Sequence, residues 1–114
     1  MAIAVTDLLT AWNSGKADLT PNGTKADQRL TVDDTVGGVQ FSAFDAATTH
    51  VFWTLETAQV RVTFDGSAPT TTNGHILNAG DSGVWNATLA AAAKFIRTGS
   101  TATIHASQMR RYVP

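Results

Sequence analysis

From Gln28 onward, apolar and polar side chains alternate with a period of two, and the apolar positions are rich in β-branched and aromatic residues. That rhythm fits half-buried β-strands, in which successive side chains point to opposite faces, and it is incompatible with the 3.6-residue stripe of a helix. In Gln59-Val60-Arg61-Val62-Thr63-Phe64, the side chains of Val60, Val62 and Phe64 share one face and those of Arg61 and Thr63 the other. In Val51-Phe52-Trp53-Thr54-Leu55, the set Val51, Trp53 and Leu55 points inward. Phe52 is then stranded on the opposite face, which calls for a second covering layer. In Thr101-Ala102-Thr103-Ile104-His105-Ala106, the inward set is Ala102, Ile104 and Ala106, a one-sided antiparallel pattern.

The expected strands are Gln28–Val32, Val39–Phe44, His50–Leu55, Gln59–Phe64, His75–Leu77, Gly83–Trp85, Lys94–Arg97 and Thr101–Ala106. Turn formers separate them at short spacing: Asp33-Asp34 with Gly37-Gly38, Asp45-Ala46-Ala47, Asp65-Gly66 with Pro69, Asn73-Gly74, Ala79-Gly80-Asp81 and Thr98-Gly99-Ser100. One segment breaks the rhythm. Alanine-rich Asn86 to Ala93 predicts a short helix, capped by Asn86 or Thr88 and leading straight into the strand around Phe95 and Ile96. Short strands at regular spacing, with turn signals rather than regularly alternating helices between them, predict a mainly β fold: an antiparallel β-sandwich or jelly roll with one short helix.

Residues 1–27 read differently. Turn formers and small polar residues dominate from Asn13, and Leu8, Leu9 and Trp12 make the stripe of a two-turn helix or lie along an extended arm. Either form is too short to be stable alone and needs a surface to pack on. The organisation expected is therefore an N-terminal arm, 1–27, followed by a β-sandwich domain, 28–114. Met1 is expected to belong to the mature protein, since Asp7 interrupts the apolar start before it forms a secretory core.

Composition narrows the function classes. A chain of 114 residues supports one modest core, burying about 65% of its extended surface. With 8 basic and 9 acidic residues it has no broad positive field to attract nucleic acid. Zero cysteines exclude disulfides, thiolate zinc sites and a cysteine nucleophile. The most apolar stretch, Leu89 to Ile96, falls far short of the ~20 residues of a membrane span and contains Lys94.

Catalytic and metal chemistry find little purchase. His50, His75 and His105 lack the short intervals that place two imidazoles on one element, so no metal site is expected. Asp33-Asp34, Asp65-Gly66-Ser67 and Asn73-Gly74 supply oxygens but match no calcium loop, and turn chemistry accounts for them. No Gly-x-Ser-x-Gly elbow is present, and because Glu56 is the single glutamate and the aspartates sit beside glycines or alanines in turns, a carboxylate pair for glycoside hydrolysis is unsupported. No phosphate-binding glycine pattern occurs either, and the expectation is a protein without cofactor or catalytic residues. Among the tryptophans, Trp53 is in phase with Val51 and Leu55 and belongs to the core, Trp85 suits core or interface, and Trp12 suits a contact between chains. Exposed tryptophans would instead allow a carbohydrate-binding module. Arg110-Arg111-Tyr112 reads as a small basic tail, either solvated or contacting another subunit.

The block from Val60 to Ile104 carries a resemblance. Val60-Arg61-Val62-Thr63-Phe64-Asp65-Gly66 precedes a Pro/Thr-rich loop, then come Asn73-Gly74-His75, a glycine-containing hairpin, Lys94-Phe95-Ile96-Arg97 and Thr103-Ile104-His105. It resembles small virion proteins of tailed bacteriophages, directly over this block and loosely from Val39 onward. The resemblance implies a β-sandwich serving capsid or head–tail structure, located in the virion after assembly in the host cytoplasm. It implies no catalytic residues, a homo-oligomer with a trimer favoured, and the major capsid protein or other virion proteins as partners. The function expected is a capsid decoration or cement protein, with a head–tail or tail accessory role as the competitor. Its candidate interface comprises Leu8, Leu9, Trp12, Trp85, Arg110, Arg111 and Tyr112.

Overall fold

The computed structural model describes residues 19–22 and 25–111. They form eight strands and one helix: β1 (Leu19–Pro21), β2 (Gln28–Val32), β3 (His50–Glu56), β4 (Val60–Thr63), β5 (His75–Leu77), β6 (Ser82–Asn86), α1 (Ala87–Ala92), β7 (Lys94–Arg97) and β8 (Ala102–Arg111). The expected mainly β fold is observed. Every pairing is antiparallel, and the strands sort into a five-stranded and a three-stranded sheet. In the larger sheet β8 is the spine. β3 and then β6 lie on one side of it, while β1 and β2 share its other edge, β2 against Ala102–Ala106 and β1 against Met109–Arg111. The smaller sheet runs β5-β4-β7.

Both sheets turn one face to a common core, as a sandwich requires. Val51, Trp53, Leu55, Ala102, Ile104 and Ala106 from the larger sheet meet Val60, Val62 and Phe95 from the smaller. Fully burying an aliphatic or aromatic side chain of this size contributes about 1.5–3 kcal/mol. The inward sets follow the alternation. Phe52 lies on the other face of the larger sheet and is also buried, in a second cluster with Met109 against which Leu19 and Val84 pack. Trp53 lies directly over Gly83, where an added Cβ would come within 3.1 Å of the indole. Trp85 also faces inward, its ring 4.8 Å from that of Trp53 and 6.2 Å from that of Phe95.

The helix forms where expected. The Asn86 side chain accepts from the Leu89 N–H at 2.7 Å, and Ala93 ends the helix in extended geometry that runs into β7. Three expectations need correction. Val39–Phe44 is not a strand: Val39 alone makes a bridge, to Phe95, after Gly37 and Gly38 turn the chain with positive φ. Beyond it, side chains take over the backbone partnerships, with Ser42 N–H donating to Gln28 Oε1 and Asp45 N–H to Gln108 Oε1. Leu19–Pro21, assigned to the arm, is a strand of the larger sheet. β8 continues to Arg111 because β1 and β3 offer its last residues backbone partners.

Thr63, expected on a polar face, is buried as well. The 65–74 loop folds back over that face, with Thr63 Oγ1 donating to Ser67 O at 2.6 Å and Arg61 donating to Thr71 O and Gly74 O at 2.9 and 2.8 Å.

Candidate functional site

One corner of the larger sheet carries two of the expected contact residues, Arg110 and Arg111. β1 lies against the end of β8 in the register Leu19 opposite Arg111, Thr20 opposite Arg110 and Pro21 opposite Met109. The described chain thus begins and ends side by side. Arg110 and Arg111 are exposed here, and residues with odd numbers in this stretch of β8 face away from the core. On that face Leu19, Met109, Phe52 and Val84 form a diagonal apolar row over β1, β8, β3 and β6.

A polar network fixes the corner from the other side. The Asn22 side-chain amide donates to Thr48 Oγ1 at 2.9 Å and to Asp45 Oδ2 at 3.3 Å. Gln108 Oε1 accepts from the Thr48 hydroxyl at 2.8 Å and from Asp45 N–H at 2.9 Å, while Gln108 Nε2 donates to Ala26 O at 3.1 Å. Asn22 and Thr48 are buried, so each lost partner would leave a desolvated polar atom, at about 1–3 kcal/mol. Lys25 Nζ adds an ion pair with Asp45 at 3.4 Å. The Ala47 N–H, the Asn22 amide and Lys25 together hold the Asp45 carboxyl below its usual range. Burial, and secondarily the Arg111 guanidinium, push the His50 imidazole below its ordinary value. Beside the network, Ala43 and Phe44 face Ala87, Thr88 and Ala91 across a shallow apolar groove.

Of the seven residues expected at an interface, Arg110 and Arg111 lie at this corner, and Trp85 packs among core rings. Leu8, Leu9, Trp12 and Tyr112 lie outside the described residues. Asn22, Thr48 and Gln108 escaped the sequence reading because no local spacing links them. The one local signal in the sequence is the turn-forming triplet Pro21-Asn22-Gly23, which accounts for Asn22 without reference to its distant partners.

The histidines are dispersed: His50 on β3 beside Thr49, His75 on the edge strand β5, and His105 on β8 with Nε2 2.9 Å from Asp27 Oδ2. No group of three or more His, Asp or Glu gathers among the described residues. Asp33 and Asp65 each accept, through one oxygen, the N–H and hydroxyl of the residue two places on, which is the turn chemistry expected of them.

The fold therefore defines a mainly β protein of two antiparallel sheets whose best-organised surface is a pinned corner. No family model, curated protein or solved structure matches the chain.

Proposed function

We propose that this chain is a non-enzymatic virion structural protein of a tailed phage, a capsid decoration or cement protein that bridges capsid subunits through the β1–β8 corner. The observation that carries this reading is the pairing of Leu19 with Arg111, which brings the first and last described residues to one place. Residues 1–18, with the stripe Leu8, Leu9 and Trp12, and residues 112–114, with Tyr112, are both tethered there. A segment of 18 residues reaches at most about 60 Å when extended, enough to cross onto a neighbouring subunit. A rigid module with such an arm adheres through many modest contacts, and symmetric repetition multiplies them. The buried Asn22–Thr48–Gln108 network supports this reading, since it holds the arm's root in a fixed geometry and limits the entropy lost on docking.

The test is the protein inventory of purified virions of the phage that encodes the chain. A decoration protein is present at on the order of hundreds of copies, following the capsid lattice. Small multiples of three or six would instead indicate a head–tail or tail role, and absence from the particle ends the virion reading. The corner is tested separately by adding Arg110→Glu/Arg111→Glu protein to capsids stripped of the wild-type chain. Binding falls at least tenfold, with the melting temperature nearly unchanged because both side chains are exposed.

A further inference from the structure

Where β4 ends, the chain turns through Phe64-Asp65-Gly66-Ser67, and it returns through Asn73-Gly74 into β5. Between the two stretches lies an open cleft of about 490 Å³, lined by Thr63, Phe64, Asp65, Ser67, Asn73 and His75. We propose that this cleft binds a neutral saccharide, stacking one pyranose ring on Phe64 and His75. It is separate from the β1–β8 corner, and the proposal does not depend on the virion reading.

The aromatic floor is built in advance. Phe64 meets Trp85 edge-on at 5.2 Å and 88°, and Trp85 stacks on fully buried Phe95 at 6.2 Å. Phe64 is thereby anchored to the core. Its ring centroid lies 6.0 Å from that of exposed His75, with the planes inclined at 36°. Both rings line the cleft at that inclination and give it an aromatic floor against which the C–H face of a pyranose can stack, and stiff rings lose little entropy on contact.

The rim supplies hydroxyl partners. Asp65 Oδ1 accepts from Ser67 N–H at 3.0 Å and from the Ser67 hydroxyl at 2.5 Å, while Oδ2 has no hydrogen-bond partner among the described residues. Those two Ser67 donors keep the carboxyl ionised by holding it below its usual range. The Asn73 side-chain amide likewise has no partner among the described residues and offers both a donor and an acceptor, while its backbone N–H is held by Thr70 Oγ1 at 2.9 Å. An acceptor and an amide beside flat apolar faces match an uncharged ring bearing hydroxyls. A fixed carboxylate disfavours acidic sugars. The far wall is also rigid: Arg61 donates to Gly74 O at 2.8 Å, and a Cβ on Gly74 would stand 3.1 Å from Val62 O. A cleft of this volume lies within the range of small-molecule sites, about 300–1,000 Å³.

The experiment is an amide chemical-shift titration of the whole protein with methyl glycosides of glucose, galactose, mannose and N-acetylglucosamine. At least one probe shifts the amides of residues 64–67 and 73–75, with a dissociation constant of about millimolar order. His75→Ala and Asn73→Ala, both at exposed positions, each weaken that binding about tenfold, whereas His75→Phe keeps it within about twofold because the stacking face remains. Unchanged spectra with all four probes, shifts confined to another surface, or equal affinity in the alanine variants would each overturn the proposal. Capsid binding by the same variants stays at the wild-type level, so the two readings fail separately.

Discussion

Thr57 is the one described non-glycine residue with positive φ, at 75°, in the turn between β3 and β4. A β-branched side chain in that region is strained by about 1–3 kcal/mol. Replacing Thr57 with Gly is therefore expected to raise stability by about 1 kcal/mol, measured by urea unfolding. Gly83 is the opposite case, because its missing side chain is what admits Trp53. Gly83→Ala costs about 1–3 kcal/mol and changes the tryptophan fluorescence. Titration acts at the same level. His50 has a folded pKa below its unfolded value near 6.5, so the unfolded chain binds the proton more readily. Its contribution to stability is intact above about pH 6.5 and declines as the pH falls from there. Asp33, Asp45 and Asp65, all with lowered pKa, contribute stability that is intact above the usual carboxylate value near 3.9 and is lost as the pH falls below it. A plot of melting temperature against pH should show two declines, and His50→Gln should remove only the upper one. The faces of Val51–Leu55 were legible from alternation alone, since a strand's side-chain period is fixed by its backbone. The burial of Thr63 was not, because its cover comes from the 65–74 loop folding back over that face, and alternation along β4 says nothing about the path of the following loop.

Among the elements, β8 does the most organising. Its ten residues pair with three other strands, and its Gln108 side chain replaces backbone partners for the 45–48 turn. Gln108→Ala should destabilise the protein by about 2 kcal/mol and speed hydrogen exchange at the Asp45 amide, while exchange within β4 follows only the global loss. Asn86→Ala removes the cap of α1 and costs about 1 kcal/mol. The helix and its cap were readable because capping is chemistry within three residues. The failure at Val39–Phe44 has the same logic in reverse. The segment has strand-forming residues, but the glycine turn before it redirects the chain and the Gln28 side chain takes both backbone groups of Ser42.

In the whole molecule, two sheets of unequal size close on one core and leave the chain's two described ends at one corner. That geometry makes the decoration reading a statement about location: a reconstructed particle should show the corner turned toward the capsid surface and the 64–75 cleft free of it. Most strand positions, their inward faces, the turn chemistry and the helix could be derived from the chain as written, because each depends on residues within a few positions and on the fixed periodicities of the backbone, whereas Val39–Phe44, β1 and the end of β8 depended on distant partners. The pairing of β1 with β8, the shared polar network of Asn22, Thr48 and Gln108, and the packing of Phe64 on Trp85 beside the cleft could not. These juxtapositions join residues separated by long stretches of chain. Alternation says which side of a strand is buried but carries no information about which strand lies beside it, and that choice is made only when the sheets close over a common core.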